Sequence, residues 1–278
     1  MRELERDSLP SPLSALSEGA PRQSRGATRL KLAVVGRGRA GGSLARAAEL
    51  AGIEVRVAGR DEVAEACRGA GAVLLCVPDE AIASVCELIA SDPPPLVGHV
   101  SGATTLDALA SAAASGAELF SIHPLQTFAD AETPVEGTPA AIAGSGERAL
   151  DFARRLTEAL GMRPFEVPEE NRAAYHAAAS IASNLLVALE ESATDLLERA
   201  GVDDARELLA PLVLRTAANW SERGAAALTG PIARRDRETV ERHRAAIAKS
   251  APELIHLYEA LAMRAEAVAR ASVVEVPE

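Results

Sequence analysis

The sequence predicts an α/β doubly wound sheet followed by an all-α C-terminal domain. Three observations predict it. Short apolar, β-branched runs alternate with helical stretches of about ten residues as far as Pro168, the pattern of βαβ units around a parallel sheet. After Pro168 the strand signals vanish and only helical periodicity remains. A glycine-rich turn joins the first run to the first helix.

The elements follow in order. Leu30 to Val35 is a buried strand, and Ser43 to Ala51 a helix stopped by Gly52. Ile53 to Ala58 alternates as a second strand, and Asp61 to Arg68 is a short helix. Ala72 to Val77 is a continuous apolar strand closed by Pro78-Asp79, with a helix over Ala81 to Ala90 behind it. Strands at Leu96 to Val100 and Glu118 to Ile122 flank a helix over Thr105 to Ser115. Ala140 to Ala143, a helix over 147–160 and Arg163 to Val167 continue the alternation. Beyond it, 170–200 reads as one long amphipathic helix, with further helices over 203–223, 236–249 and 251–272. The predicted organisation is therefore a disordered extension over 1–28, a nucleotide-binding domain over 29–168 and a helical substrate and dimerisation domain over 169–278.

Composition bounds the function. The 278 residues carry a net charge of −11, with a pI near 5.1. That balance speaks against a nucleic-acid footprint or a basic membrane-surface patch. No apolar run approaches the ~20 residues of a membrane span, and residues 1–28 lack the apolar core of a secretory signal. Cys67, Cys76 and Cys86 show no CxxC spacing and read as reduced structural thiols of a cytoplasmic protein. No metal site is assigned.

Gly36-Arg37-Gly38-Arg39-Ala40-Gly41 is a G-x-G-x-x-G turn between a strand and a helix, the Rossmann dinucleotide fingerprint. Gly36 makes the turn, Gly38 admits the pyrophosphate and Gly41 lets helix and strand pack closely. The helix N-terminus offers free N–H groups and partial positive charge to phosphate. Arg60, behind Gly59 at the end of the second strand, suits a 2′-phosphate, as do Arg37 and Arg39 in the loop. NADP(H) is therefore expected over NAD(H), for which Asp61 is the competing acidic residue. Exposed loop charge is the alternative for Arg37 and Arg39. Val77 and Pro78 complete the predicted cofactor contacts.

Ligands of such sheets bind beyond the carboxyl ends of the strands. Ser101, His123 and Gln126 follow strands there, and Asp79 is equally readable as a helix cap. His176, Ser180 and Asn184 lie at i, i+4 and i+8, on one helical face that Ala177, Ala178, Ile181, Leu185 and Leu186 would bury. A substrate in an interdomain cleft would partner that polar line. His176 or His123 is the expected acid/base, with Asn184 and Ser101 orienting substrate and Ser180 touching it. Thr229-Gly230-Pro231, with Arg234, forms a turn between helices that could bind a carboxylate, ahead of Asp236 as a cap.

Taken together, the glycine loop, Pro78-Asp79, His99 to Gly102, His123 to Phe128, Tyr175 to Ala177 with Ser183-Asn184, and Thr229 to Arg234 resemble the Rossmann-like proteins with a DUF2520 C-terminal domain. The resemblance implies an NADP-linked oxidoreductase with a 6-phosphogluconate dehydrogenase C-terminal-like helical domain, similar in architecture to pyrroline-5-carboxylate reductase, ketopantoate reductase and prephenate dehydrogenase. Pairing of two copies through the helical domain is implied by the same analogy. Ketopantoate reductase carries a lysine where this chain has His176. Its two asparagine positions correspond to Ser180 and Asn184. The Thr229 turn occupies a place comparable to the substrate-carboxylate loop of pyrroline-5-carboxylate reductase, and His123-Pro124 matches the His-Pro of prephenate dehydrogenases. The expected reaction moves hydride to or from a small carboxylate-bearing carbonyl, imine or alcohol. The alternatives are a non-catalytic NADP-binding sensor or scaffold, and an enzyme acting on a nucleotide-linked substrate without net redox.

Overall fold

The computed structural model describes residues 30–274; the predicted N-terminal extension lies outside the described residues. The chain divides into two compact units, the first ending at Glu166 and the second beginning at Val167.

The first unit is a seven-stranded sheet. In chain order it comprises β1 (Lys31–Val35), α1 (Arg39–Leu50), β2 (Glu54–Ala58), α2 (Val63–Cys67), β3 (Ala72–Leu75), α3 (Ile82–Glu87) and β4 (Leu96–His99). Then come α4 (Ala110–Ala114), β5 (Glu118–Pro124), β6 (Pro139–Gly144), α5 (Glu147–Ala159) and β7 (Arg163–Glu166). Single 3-10 turns precede α2, α3 and α4. The strand order is β2-β1-β3-β4-β5-β6-β7. The chain leaves β1 to one side for β2 and returns past it to β3, so the order reverses between β1 and β3. Such a switch point is where open α/β sheets bind ligands.

The strands follow from alternation that buries both faces. Leu32 and Val34 join α1 and α5 in one core, with Leu44, Ala48, Phe120, Ile142 and Leu156. Ala33 and Val35 face the other way, onto Val63, Ile82, Val85, Cys86 and Leu109 from the helices of the opposite face. A period of two places neighbouring residues on opposite faces. Two packed faces make the near-continuous apolar runs of β1 and β3 a necessity.

One expectation needs correction. The alternation predicts βαβ units and a parallel sheet; the pairing is parallel except that β6 runs antiparallel to β5, with Ile122 opposite Ile142. Residues 125–138 form no helix, so no crossover carries the chain back to the starting edge, and a direct return can pair only antiparallel. The β6–β7 pair is parallel again, with α5 as its crossover.

The second unit is helical. It holds α6 (Arg172–Ala182), α7 (Asn184–Arg199), α8 (Ala205–Arg223), the one-turn α9 (Gly230–Ala233), α10 (Arg237–Ser250) and α11 (Ile255–Val274). The single helix predicted over 170–200 is two. Ser183 breaks it with φ −127° and ψ −80°, outside the helical basin. Neither Gly nor Pro marks that break.

Candidate functional site

The glycine loop stands at the β1/β3 switch point. Gly36 has φ +118°, a conformation open to glycine. A Cβ there would lie 2.1 Å from the Cys76 carbonyl oxygen. A Cβ on Gly41 would lie 2.0 Å from the Gly36 carbonyl oxygen. Both glycines are therefore fixed by packing of α1 against the ends of β1 and β3. Gly38 differs: nothing lies within 4 Å of where its Cβ would point. It is the N-cap of α1, without a side-chain cap and with no acidic residue in the first turn. The first N–H groups of α1 thus face an open, positively polarised surface, as Gly-rich phosphate sites require. The residues present fit a dinucleotide pyrophosphate.

Three arginines flank this cradle. Arg39 and Arg60 are exposed. Arg37 turns toward the end of β2, where its guanidinium pairs with Glu62. A Cβ on Gly59 would stand 3.2 Å from Arg37 Nη1. The space that Gly59 leaves is thus occupied by Arg37 and not by the Arg60 expected there. Glu62, and not the neighbouring Asp61, is the acid that engages this strand end. Its Oε2 also accepts from the Gly59 N–H at 3.0 Å, the return half of a capping box. The three-residue spacing from Gly59 is the signal that could have found it. Val77 is partly buried and Pro78 exposed, just beyond β3. Asp79 makes no capping hydrogen bond.

The other strand ends have more structural duties than their sequence suggests. Ser101 is buried. Its Oγ accepts from the N–H groups of Ala103 at 3.2 Å and Thr104 at 2.9 Å, closing the turn after β4. The Ser101 N–H donates to His99 Nδ1 at 3.2 Å. Gln126 donates to the Pro134 carbonyl and accepts from Thr138 Oγ1, so its amide holds the loop after β5 together. That loop is docked on α1. A Cβ on Gly42 would lie 2.6 Å from Ala131 Cβ, Ser43 Oγ donates to the Asp130 carbonyl, and Arg46 pairs with Glu132. His123, the penultimate residue of β5, is partly exposed.

In the helical unit, His176 and Ser180 share one face of α6 and are partly buried. Asn184 does not continue their line: it opens α7 beyond the Ser183 break and is exposed. The apolar neighbours expected to be buried are also exposed, Ile181 at 65% and Leu185 at 55%. At the start of α6, the buried Arg172 pairs with Glu169 at 3.1 Å. Burial pushes the Tyr175 phenol up to about 12, against the opposing pull of Arg172. Tyr175, which the sequence offers only as part of a motif, therefore keeps its proton at neutral pH. The Thr229–Arg234 turn lies elsewhere in this unit, packed on α10 and α11. Gly230 has φ +92° there. Asp236 caps α10 through the Thr239 N–H at 3.1 Å. That bond, with the Thr239 hydroxyl and the charges of Arg242 and Arg234, holds the Asp236 carboxyl below its usual range. Arg234 is exposed.

Burial pushes the Cys76 thiol up to about 12 and Cys67 to about 11. Cys76 as a residue is only partly buried, but its sulfur is enclosed beside the glycine loop. At those values both stay thiols and neither is a nucleophile at neutral pH. Among the described residues no group of three or more His, Cys, Asp or Glu could hold a metal ion, and no helix is long and apolar enough to cross a membrane.

Residues 138–265 match the sequence profile of the family described as Domain of unknown function (DUF2520). The resemblance read from the motifs is met over that region. No curated protein matches the chain. Among solved structures, a Bacteroides fragilis protein named as a candidate NADP oxidoreductase is 21% identical, with TM-score 0.72 over 86% of this chain and 98% of its own. Protein TM1727 from Thermotoga maritima is 25% identical, with TM-score 0.70 over 87% and 99%. A reductive aminase from Aspergillus terreus, solved with NADPH and ethyl levulinate, is 18% identical, with TM-score 0.64 over 86% and 94%. The fold is theirs: a parallel-dominant Rossmann sheet followed by a helical region.

Proposed function

We propose that this chain is an NADP(H)-dependent oxidoreductase acting on a small carboxylate-bearing carbonyl, imine or alcohol. The observation that carries the reading is the glycine loop at the switch point, open above Gly38 and flanked by Arg37, Arg39 and Arg60. Gly38 and the first turn of α1 hold the pyrophosphate, Arg60 and Arg39 face the 2′-phosphate, and Val77 and Pro78 line the approach past β3. The cofactor supplies the hydride chemistry. The chain supplies position and proton: His176 or His123 moves the proton, Tyr175 keeps one, and Ser180, Asn184 and the Thr229–Arg234 turn bind substrate. The fold shared with an NADPH-bound reductive aminase supports this reading.

The test is a fluorescence titration of the protein with NADPH, NADH and ATP, followed by a screen of small keto acids, imines and hydroxy acids at the NADPH absorbance band. NADPH binding with turnover of one such class is expected. Preference for ATP sinks the reading. Arg60→Ala should weaken NADPH about ten- to hundred-fold and NADH little, because one charge-assisted phosphate contact contributes about 1.5–3 kcal/mol.

The exposed Asn184 and the turn-closing Ser101 favour one second reading, an NADP-binding sensor without turnover. It predicts that His176→Ala, His123→Ala and Asn184→Ala leave cellular function intact while Arg60→Ala abolishes it.

We also propose that the protein works as a homodimer paired through its helical unit. Ile181, Leu185, Val187, Leu208, Leu212 and Trp220 on α6, α7 and α8 are each more than half exposed. Large exposed apolar side chains of that kind mark an interface, and a two-fold pairing would bring the same surface of each copy together.

A further inference from the structure

The end of β2 holds a carboxylate where the proposed cofactor needs a phosphate. Glu62 Oε2 takes the Gly59 N–H and the Arg37 guanidinium together. Those two donors lie at the strand end where a Rossmann site meets the adenosine ribose. We propose that Glu62 is the specificity-determining residue of this site, an internal anion that competes with the 2′-phosphate and accepts the 2′-hydroxyl. The proposal rests on the dinucleotide reading above.

The two cofactors meet this pair differently. The ribose of NADH presents a 2′-hydroxyl, which donates to Glu62 and leaves the Arg37 pair in place. NADPH presents a dianion, which Glu62 repels. It gains Arg37 and the Gly59 N–H only by displacing the carboxylate. The exchange is inexpensive, because the side chains of Arg37 and Glu62 are 59% and 51% exposed, and exposed ion pairs contribute little. Arg60 and Arg39 are not engaged by any carboxylate among the described residues, so they remain to attract the phosphate first. Glu62 thus holds back a site whose other charges favour NADPH and keeps NADH admissible.

The experiment is titration of wild type and Glu62→Gln with NADPH, NADH and adenosine 2′,5′-bisphosphate, read by intrinsic fluorescence or calorimetry. Glutamine keeps an oxygen acceptor for the Gly59 N–H and removes the charge. Glu62→Gln should tighten NADPH and the bisphosphate about ten-fold, as expected for one charge removed at contact distance near the surface, and weaken NADH about three-fold. The opposite signs are the signature, since a residue that only props the loop would move all three ligands together. An unchanged NADPH-to-NADH ratio, or weaker NADPH binding in Glu62→Gln, overturns this inference and leaves the cofactor reading standing. A wild type that binds neither dinucleotide overturns both.

Discussion

The sheet unit and the helical unit bury apolar surface on very different terms. In the sheet unit, strands and helices enclose two cores, one on each face, built from residues such as Val34 and Phe120 on one side and Val73 and Ile82 on the other, all at 0% exposure. Among the described residues of the helical unit, the buried apolar ones are Ala205, Ile247, Ala251 and Ala262. Many of its large side chains are outside, with Leu214 at 71% and Trp220 at 66% exposed. Marginal stability leaves little room for such exposure unless something covers it. The sheet unit encloses its large apolar side chains; the helical unit leaves many of its own exposed.

The contrast breaks most sharply on matched substitutions. Leu74→Ala should cost about 2–5 kcal/mol in denaturant unfolding, with a cavity left between packed layers. Leu212→Ala, the same chemistry at an exposed position, should cost under about 0.5 kcal/mol in any monomer. A comparable loss at both sites would show that Leu212 is covered within one chain.

A second test addresses the cover itself. Trp220→Glu with Leu212→Asp should shift the sedimenting species from dimer to monomer and remove the dependence of Tm on protein concentration. A wild type that sediments as a monomer at micromolar concentration refutes the pairing. Smaller effects then grade the two units. Cys76, with its thiol pushed up to about 12, should resist iodoacetamide at pH 8 in folded protein and react on unfolding. Rapid labelling in the folded state would show that the sheet unit opens beside the glycine loop. Asp236→Asn should give the smallest change, a modest fall in Tm from the weakened α10 cap. The sign follows from its depressed folded-state carboxyl: the wild-type advantage exists above the unfolded pKa and is lost as pH falls through the folded one. An advantage that persists at pH 2 would assign the effect to packing.

Much of this was legible in the chain. Periodicity and breakers locate every strand of the sheet, and the G-x-G-x-x-G spacing anticipates the tight turn at Gly36 and the close packing at Gly41. Strand direction was not legible at β6, because an apolar run carries no arrow and only the missing helix after Pro124 reveals the reversal. The Ser183 break was silent because backbone dihedrals there escape composition. Arg37 and Glu62 were separable only by seeing which side chain fills the space at Gly59. Among the site residues, hydroxyl and amide types at Ser101 and Gln126 suggest ligands, and their hydrogen bonds within local turns were not legible in the sequence.

The antiparallel β5–β6 pair has a consequence for anyone recombining this protein with its relatives. The DUF2520 match starts at Thr138, but the compact unit runs to Glu166. A graft cut at Thr138 would carry off β6, α5 and β7 and strip the cover from Phe120 and Ile122, both 0% exposed. The heritable segment and the folding segment overlap without coinciding, so a working chimera must be joined after Glu166.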